Sequence, residues 1–472
     1  MTHAPDTPDP LVDALRARVR GPVLTPRDGG YDDARSLWNA MIDRRPRAIV
    51  RCLGTADVVA CVAAAREQQV LLSIKGGGHN IAGLAVCDDG LLLDMSLMRG
   101  TWVDAATRRA RVQPGALLGD VDRETQLHGL AAVLGFVSNT GCAGLTLGGG
   151  FGYLTRRFGW TSDNLASVDL VTADGRVIQA SEREHADLFW ALRGGGGNFG
   201  VATGFEYVLH PVGPEIIGGA IAWPGDEAPR VLELFRQVVS TAPRELACVA
   251  GLRLAPPAPW LAKSVHGKPI VVLFICYTGT MADGEALLAP IKSFGNPVGD
   301  VVQRRSYVSQ QSLLDATQPK GRRYYWKSEY LRAFTPELCT QAIAHAARIV
   351  SPHAAILLFP LDGALNGHGS DHSAVGNRDA AGVINIAASW EDAARDAENI
   401  AWARTAWEDL RVHSSGGTYV NFLTGDEGDE RTRAAYGGNY ARLQAVKARW
   451  DPENVFRTNK NIAPAAGAQS GT

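Results

Sequence analysis

The densest chemistry in the chain is a run of six residues, Lys75-Gly76-Gly77-Gly78-His79-Asn80, followed by Gly83. Three consecutive glycines strip a stretch of backbone of every Cβ, so its N–H groups can close around an anion as a nest. A pyrophosphate suits such a loop. It is neither a Walker A sequence, which needs Gly-Lys-Ser/Thr opening a helix, nor the dinucleotide fingerprint with glycines at one, three and six. His79 closes the run, and a neutral imidazole is a nucleophile near physiological pH that can add to an electrophilic carbon held against it. Two further clusters follow: residues 135–154 and the run GGGGNFGV at 194–201. One extended dinucleotide can use all three, although tight strand packing claims some of their glycines.

The elements that must position these loops are short. Apolar spacing predicts helices over 10–18 and 31–39, a buried strand over 48–52, a helix opening at Thr55 with its hydroxyl as cap, and a strand over 71–75 that runs into the first glycine loop. A strand over 91–95 and an alternating pair around Thr107 and Arg108 come next, and Asp174-Gly175 between alternating runs marks a hairpin. A helix over 185–192 leads to the third cluster. The segment 135–154 is too glycine-rich to be read as a packed helix. Beyond Pro211 the clusters cease and strands alternate with helices: strands at 216–222, 247–254, 270–277, 324–331 and 383–390, and helices at 228–241, 336–350 and 391–411. One further helix is expected over 431–450. The expected organisation is residues 1–212 as a first domain, 213–412 as a second, 413–464 returning to the first, and 465–472 as a disordered tail.

Taken in order, SIKGGGHNIAG, VSNTGCAGLTLGGGFGYLTRRFGWTSDNL, LVTADG, DLFWALRGGGGNFGV, YVNF and DPENVFRTNKNIAP resemble the berberine-bridge-enzyme-like branch of the vanillyl-alcohol-oxidase flavoprotein family, in its bacterial form. The resemblance spans nearly the whole chain. It implies an α+β fold with a bipartite PCMH-type FAD-binding domain, plus an α+β substrate domain whose antiparallel sheet is flanked by helices. It implies FAD bound covalently through His79 at the flavin 8α position. It also implies a cofactor site drawn from Lys75, Gly76, Gly77, Gly78, His79, Asn80, Gly83, Gln113, Pro114, Ser138, Thr140, Gly141, Gly144, Leu145, Gly149, Gly150, Tyr153, Asn198, Gly200, Val201, Asn421, Asn459 and Asn461. The implied reaction is hydride transfer from an alcohol, sugar or natural product to flavin N5, with O2 as acceptor and hydrogen peroxide as product. A dehydrogenase using a quinone or other carrier, and a non-catalytic FAD-binding protein, stay open beside it.

Two departures from the family pattern bear on the chemistry. Many relatives carry a second flavin bond from a cysteine within Gly-x-Cys-Pro-x-Val-Gly-x-x-Gly. Laid on residues 135–144, that pattern puts Val137 at the attaching position, so no cysteinyl bond is expected and Cys142 is read as a small residue packed beside the cofactor. Thr140 falls where the family gates oxygen. Relatives often end Tyr-x-Asn-Tyr with the last tyrosine as base, whereas this chain reads Tyr419-Val420-Asn421-Phe422, and Phe422 cannot take a proton. The base is then Tyr419, a second-domain carboxylate such as Asp362, or no side chain at all. The aromatic run Tyr324, Tyr325, Trp326 and Tyr330 offers one face to a flat or glycosidic substrate, or simply fills a core.

Composition narrows the partners. Of 472 residues, 47 are Lys or Arg and 49 Asp or Glu, so a net charge of -2 offers no basic field for nucleic acid. No stretch reads as a membrane span or a secretion signal, and a cytoplasmic protein acting on a small molecule is expected. The seven cysteines lack C-x-x-C spacing and suit neither a disulfide framework nor a zinc site. His368 and His372 flank Asp371 in a glycine-rich loop that reads as solvated rather than metal-binding, and no metal is expected. A Gly-x-Ser-x-Gly elbow is absent.

Overall fold

The computed structural model describes residues 9–465. The tail expected at 465–472 therefore lies, beyond Ala465, outside the described residues. Three strands, Ala48–Arg51, Leu91–Asp94 and Leu72–Lys75, run parallel, with the short Val23–Leu24 antiparallel on the edge. The helix Thr55–Glu67 makes the crossover and buries Val58, Cys61 and Val62 against this sheet. Its cap is Gly54 rather than a hydroxyl. The Asp57 carboxylate takes up the local amides instead, accepting from Leu53 N at 2.9 Å and Arg20 N at 2.8 Å. Leu72–Lys75 delivers the first glycine loop at its carboxyl end, where parallel sheets place their ligands.

A second sheet is antiparallel throughout, in the order Thr101–Asp104, Arg109–Val112, Val201–Val208, Leu165–Val171, Val177–Ser181. The Asp174-Gly175 hairpin forms as the alternation predicts, with Gly175 at φ +86. Between them the two sheets hold all three glycine clusters.

The third layer is an eight-stranded antiparallel sheet. Its central strands are Glu215–Pro224, Pro269–Tyr277, Leu246–Leu254, Ala355–Pro360, Gly382–Trp390 and Arg323–Leu331. Side chains alternate across it. Ile221, Leu252, Leu273, Ile356 and Ile384 point to a core under the helices Ala228–Thr241, Pro336–Ala346 and Asp396–Leu410. Val249, Phe274, Phe359 and Tyr330 point the other way and pack against Phe151, Trp160 and Tyr419.

Four elements differ from expectation, each for a local reason. Residues 31–39 stop being helical at Arg35, because Asn39 is pulled into the third sheet's edge: its Nδ2 donates to Ile81 O and Tyr324 O, and its Oδ1 accepts from Tyr324 N. The helix over 391–411 begins only at Asp396, after a 3-10 turn. The helix over 431–450 is two, Asp429–Tyr436 and Tyr440–Trp450, broken where Gly437 takes φ +53. The glycine-rich 135–154 holds a short helix after all, Cys142–Leu147. Among the described residues no helix is long and apolar enough to cross a membrane.

The C-terminal segment is fastened by a buried ion pair. Lys447 Nζ donates to Asp451 Oδ2, to Asn198 O at 2.7 Å and to Phe456 O at 2.9 Å, and both charged side chains are fully buried. Asp451 in turn accepts from Val455 N and Phe456 N. Lys447→Met strands that carboxylate without its cation. It is expected to cost about 3 kcal/mol of stability, measured as a lowered denaturation midpoint.

Candidate functional site

A cavity of about 340 Å³ lies between the glycine clusters and the inner face of the eight-stranded sheet, a size in the range of small-molecule sites. Backbone proximity builds its floor. A Cβ on Gly77 would stand 2.4 Å from Gly141 N, and one on Gly141 would stand 2.4 Å from Gly77 N, so the first two clusters touch main chain to main chain. Gly76 is similarly pressed on Pro114 O. Gly144 and Gly197 differ: both line the cavity and a Cβ on either would meet nothing within 4 Å. Those two glycines leave open space beside the main chain. Asn459 Nδ2 donates to Gly197 O at 3.0 Å, while its Oδ1 is buried without a partner in the protein and its side chain lines the same cavity. Bare backbone, free volume and an unpaired acceptor together fit an extended nucleotide cofactor.

His79 stands at one end. Its ring stacks on Trp38 at 4.9 Å and 18°, and Trp38 stacks in turn on Tyr324 at 3.5 Å and 15°. The indole is held by its own Nε1–H, which donates to Gln318 O at 3.0 Å. Burial lowers the imidazole pKa to about 4, with the Asn139 side chain acting in the opposite direction. The ring is therefore neutral, and nucleophilic, at pH 7.

Across the cavity stands Tyr419. Its hydroxyl oxygen accepts from Gly150 N at 3.0 Å and from Asn421 Nδ2 at 2.8 Å, and Asn421 also donates to Leu145 O at 3.2 Å. Burial raises the phenol pKa, and the two N–H donors oppose that rise by stabilising the phenolate. Gly149 and Gly150, at φ +105 and +77, turn the chain so that the Gly150 amide meets this oxygen.

Of the residues expected at the cofactor, the cavity gathers Gly76, Gly77, Gly78, His79, Asn80, Pro114, Thr140, Gly141, Gly144, Leu145, Tyr153, Asn198, Gly200, Val201, Asn421 and Asn459, and Tyr419 with them. Others are engaged elsewhere. Lys75 turns away to Ala34 O and to Asp94 at 3.5 Å. Gln113 Oε1 accepts from Gly100 N, and Ser138 is bound twice by Asp315. Gly83 packs on Ile42, and Asn461 lies off the wall with Oδ1 unpaired. Asp362 does not reach the cavity at all. It is paired with Arg156 at 2.6 Å, and Arg156 is itself fixed by Leu246 O, so this carboxylate is a structural tie rather than a base. Cys142 packs into the core with Leu118 and Tyr207, and it is Val137 that lines the cavity. Of the aromatic run, Trp326 faces the cavity, Tyr324 backs Trp38, and Tyr325 points away to Asp426.

Sequence reasoning did not reach Trp38, Phe136, Phe151, Val249, Phe274, Leu357, Phe359, Asn385 or Lys460, which also line the cavity. Those on strands read as ordinary alternation, and only the packing of the sheet shows which face meets the glycine loops. Among the described residues Lys460 is the single lysine on the wall, which carries no arginine and no carboxylate. Its Nζ donates to Thr424 O, and burial lowers its pKa to about 8.

Glycine loops bared for a nucleotide, opposed by an aromatic sheet face with a tyrosine and a neutral histidine between, define a flavin-dependent redox enzyme. Residues 46–181 match the family described as FAD binding domain, and residues 418–463 match berberine and berberine like. Among curated proteins the chain is 32% identical over 459 residues to (R)-6-hydroxynicotine oxidase of Paenarthrobacter nicotinovorans, covering 94% of this chain and 97% of the relative. Among solved structures it is similar to 6-hydroxy-D-nicotine oxidase from Arthrobacter nicotinovorans, with TM-score 0.82, 28% identity, and 95% and 98% of the two chains covered. Chitooligosaccharide oxidase shares the fold at TM-score 0.83 and 22% identity, over 97% of this chain and 100% of that one. The chain belongs to the berberine-bridge-enzyme-like family of FAD-linked oxidoreductases, and FAD is its cofactor.

The lowered pKa of His79 has a measurable consequence. Between pH 6.5 and 4 the unfolded chain protonates this imidazole while the folded chain resists, so stability conferred by the neutral ring is complete above 6.5 and is lost as pH falls through 4. In flavin-free protein, His79→Gln is expected to flatten part of the fall in denaturation midpoint across that window.

Proposed function

We propose that the protein is an oxidase carrying FAD on a covalent bond from His79, acting on a small organic substrate. When bound, FAD supplies the two-electron acceptor, taking a hydride at N5 and passing the electrons to O2 as hydrogen peroxide. The observation that carries this reading is the single cavity that joins the three glycine clusters, a neutral His79 and the Tyr419–Asn421 pair.

Each part of the chain has a task in it. Residues 1–212 and 413–464 hold the cofactor, and residues 213–412 supply the wall the substrate meets. The Trp38 stack orients the His79 ring and leaves it uncharged, the protonation state needed to form a carbon–nitrogen bond. Asn459 and the amides around Gly144 and Gly197 bind the extended nucleotide. Tyr419 serves as base in its phenolate form: the Gly150 and Asn421 N–H donors stabilise the negative oxygen before it takes the substrate's proton, and the transfer leaves a neutral phenol. Among the described residues no carboxylate lines the cavity to compete for that role. Cys142 stays in the core and makes no second bond.

Intact mass and acid precipitation test the attachment. Wild-type protein should retain flavin through acid, His79→Ala should release it, and Cys142→Ala should behave as wild type. Trp38→Phe should keep the covalent flavin while Trp38→Leu loses most of it. With a substrate that bleaches the flavin, Tyr419→Phe should lower kcat by about 100-fold, and peroxide should appear in step with substrate consumed. Bleaching that recovers only with an added quinone assigns a dehydrogenase instead.

A further inference from the structure

We infer that the substrate is a flat, heteroaromatic or similarly conjugated compound without positive charge that presents one hydrogen-bond donor and one acceptor on a single edge, read by Asn385 and Trp326. The inference rests on the reading that the glycine-lined side of the cavity is filled by FAD, which leaves the sheet-facing side for substrate. That side is lined by Phe136, Phe151, Val249, Phe274, Leu357 and Phe359. The rings meet edge to face, Phe136 on Phe151 at 5.8 Å and 77°, and Trp326 on Phe422 at 5.3 Å and 84°, an arrangement that extends naturally to a π-system placed between them.

Positive charge is excluded by what the wall lacks. Among the described residues it holds no aspartate or glutamate. A cationic substrate would be stripped of water with no counter-charge to receive it. An oligosaccharide fares no better, since each of its many hydroxyls needs a partner and the sheet-facing wall provides few.

Two polar atoms on this face have no hydrogen-bond partner among the described residues. Trp326 Nε1 and Asn385 Oδ1 are both buried without a hydrogen-bond partner, and both side chains line the cavity. In the paired strands Trp326 lies opposite Ala387 and Asn385 opposite Ser328, which places the indole and the amide on the same face as diagonal neighbours. A donor and an acceptor left unpaired side by side in an apolar wall are costly unless a ligand satisfies both. A lactam-like N–H and C=O pair on an aromatic ring does so. Gln318 Oε1, likewise buried, unpaired and on the wall, offers a second acceptor at the rim.

The test is a binding titration of purified holoenzyme under anaerobic conditions, following flavin absorbance and tryptophan fluorescence, with 2-quinolinone, N-methyl-2-quinolinone, the N-methylquinolinium cation and cellobiose. Saturable binding of 2-quinolinone is expected, at least about tenfold weaker binding of its N-methyl derivative, and none by the cation or the disaccharide at the same concentrations. In Asn385→Leu the two quinolinones should bind alike, and Trp326→Phe should weaken both, while flavin content and the unliganded spectrum of each variant match wild type. Binding of cellobiose or of the cation in preference to the quinolinone overturns the inference, as does undiminished discrimination in Asn385→Leu. A protein that takes up no flavin overturns the cofactor reading instead, and its lack of colour shows this before any titration.

Discussion

Everything at the site depends on two backbones touching. Gly77 and Gly141 come from segments 64 residues apart, and a single Cβ on either would collide with the other's amide nitrogen at 2.4 Å. That contact locks the loop leaving the parallel sheet to the start of the helix Cys142–Leu147. It therefore sets where His79 stands relative to the rest of the cofactor wall. Glycine serves here by its absent side chain rather than by flexibility. At Gly144 and Gly197 the same absence leaves open volume, so one residue type both closes the scaffold and opens the site.

The second organising feature is the tie between the cofactor scaffold and the eight-stranded sheet. Asn39 satisfies both its amide groups on the main chain of Ile81 and Tyr324, and its neighbour Trp38 lies between His79 and Tyr324. Arg156 and Asp362 form another such tie, and Ser138 with Asp315 a third. These polar links come from both sides of the cavity, so the aromatic wall is held at a defined distance from the glycine loops. The buried Lys447–Asp451 pair does the same for the C-terminal segment, whose Ile462 N donates to Asn198 Oδ1 in the third glycine cluster.

The electrostatics of the cavity follow from this enclosure. Burial pushes the His79 and Lys460 pKa values down and the Tyr419 phenol up, so desolvation keeps all three toward their neutral forms. For Tyr419 two N–H donors work against that trend by stabilising the phenolate.

The cofactor half of this protein is local in the chain, and so it was readable without coordinates. Phosphate-binding loops need glycine in consecutive positions, strands and hairpins show in period-two alternation, and a nucleophilic histidine at the loop's end is adjacent in sequence to what positions it. Phe422 in place of a tyrosine was equally visible. The opposite wall of the cavity was not, because it is made of single residues from separate strands, Val249, Phe274, Trp326, Phe359 and Asn385, whose shared face exists only once the eight strands pair in register. Asp362 shows the same limit from the other side. Residue type suggested a base, and only tertiary contact with Arg156 committed it to holding the fold together. Chemistry that one loop can hold by itself is written in the order of residues, whereas chemistry assembled across strands is decided by which side chains the packing turns inward.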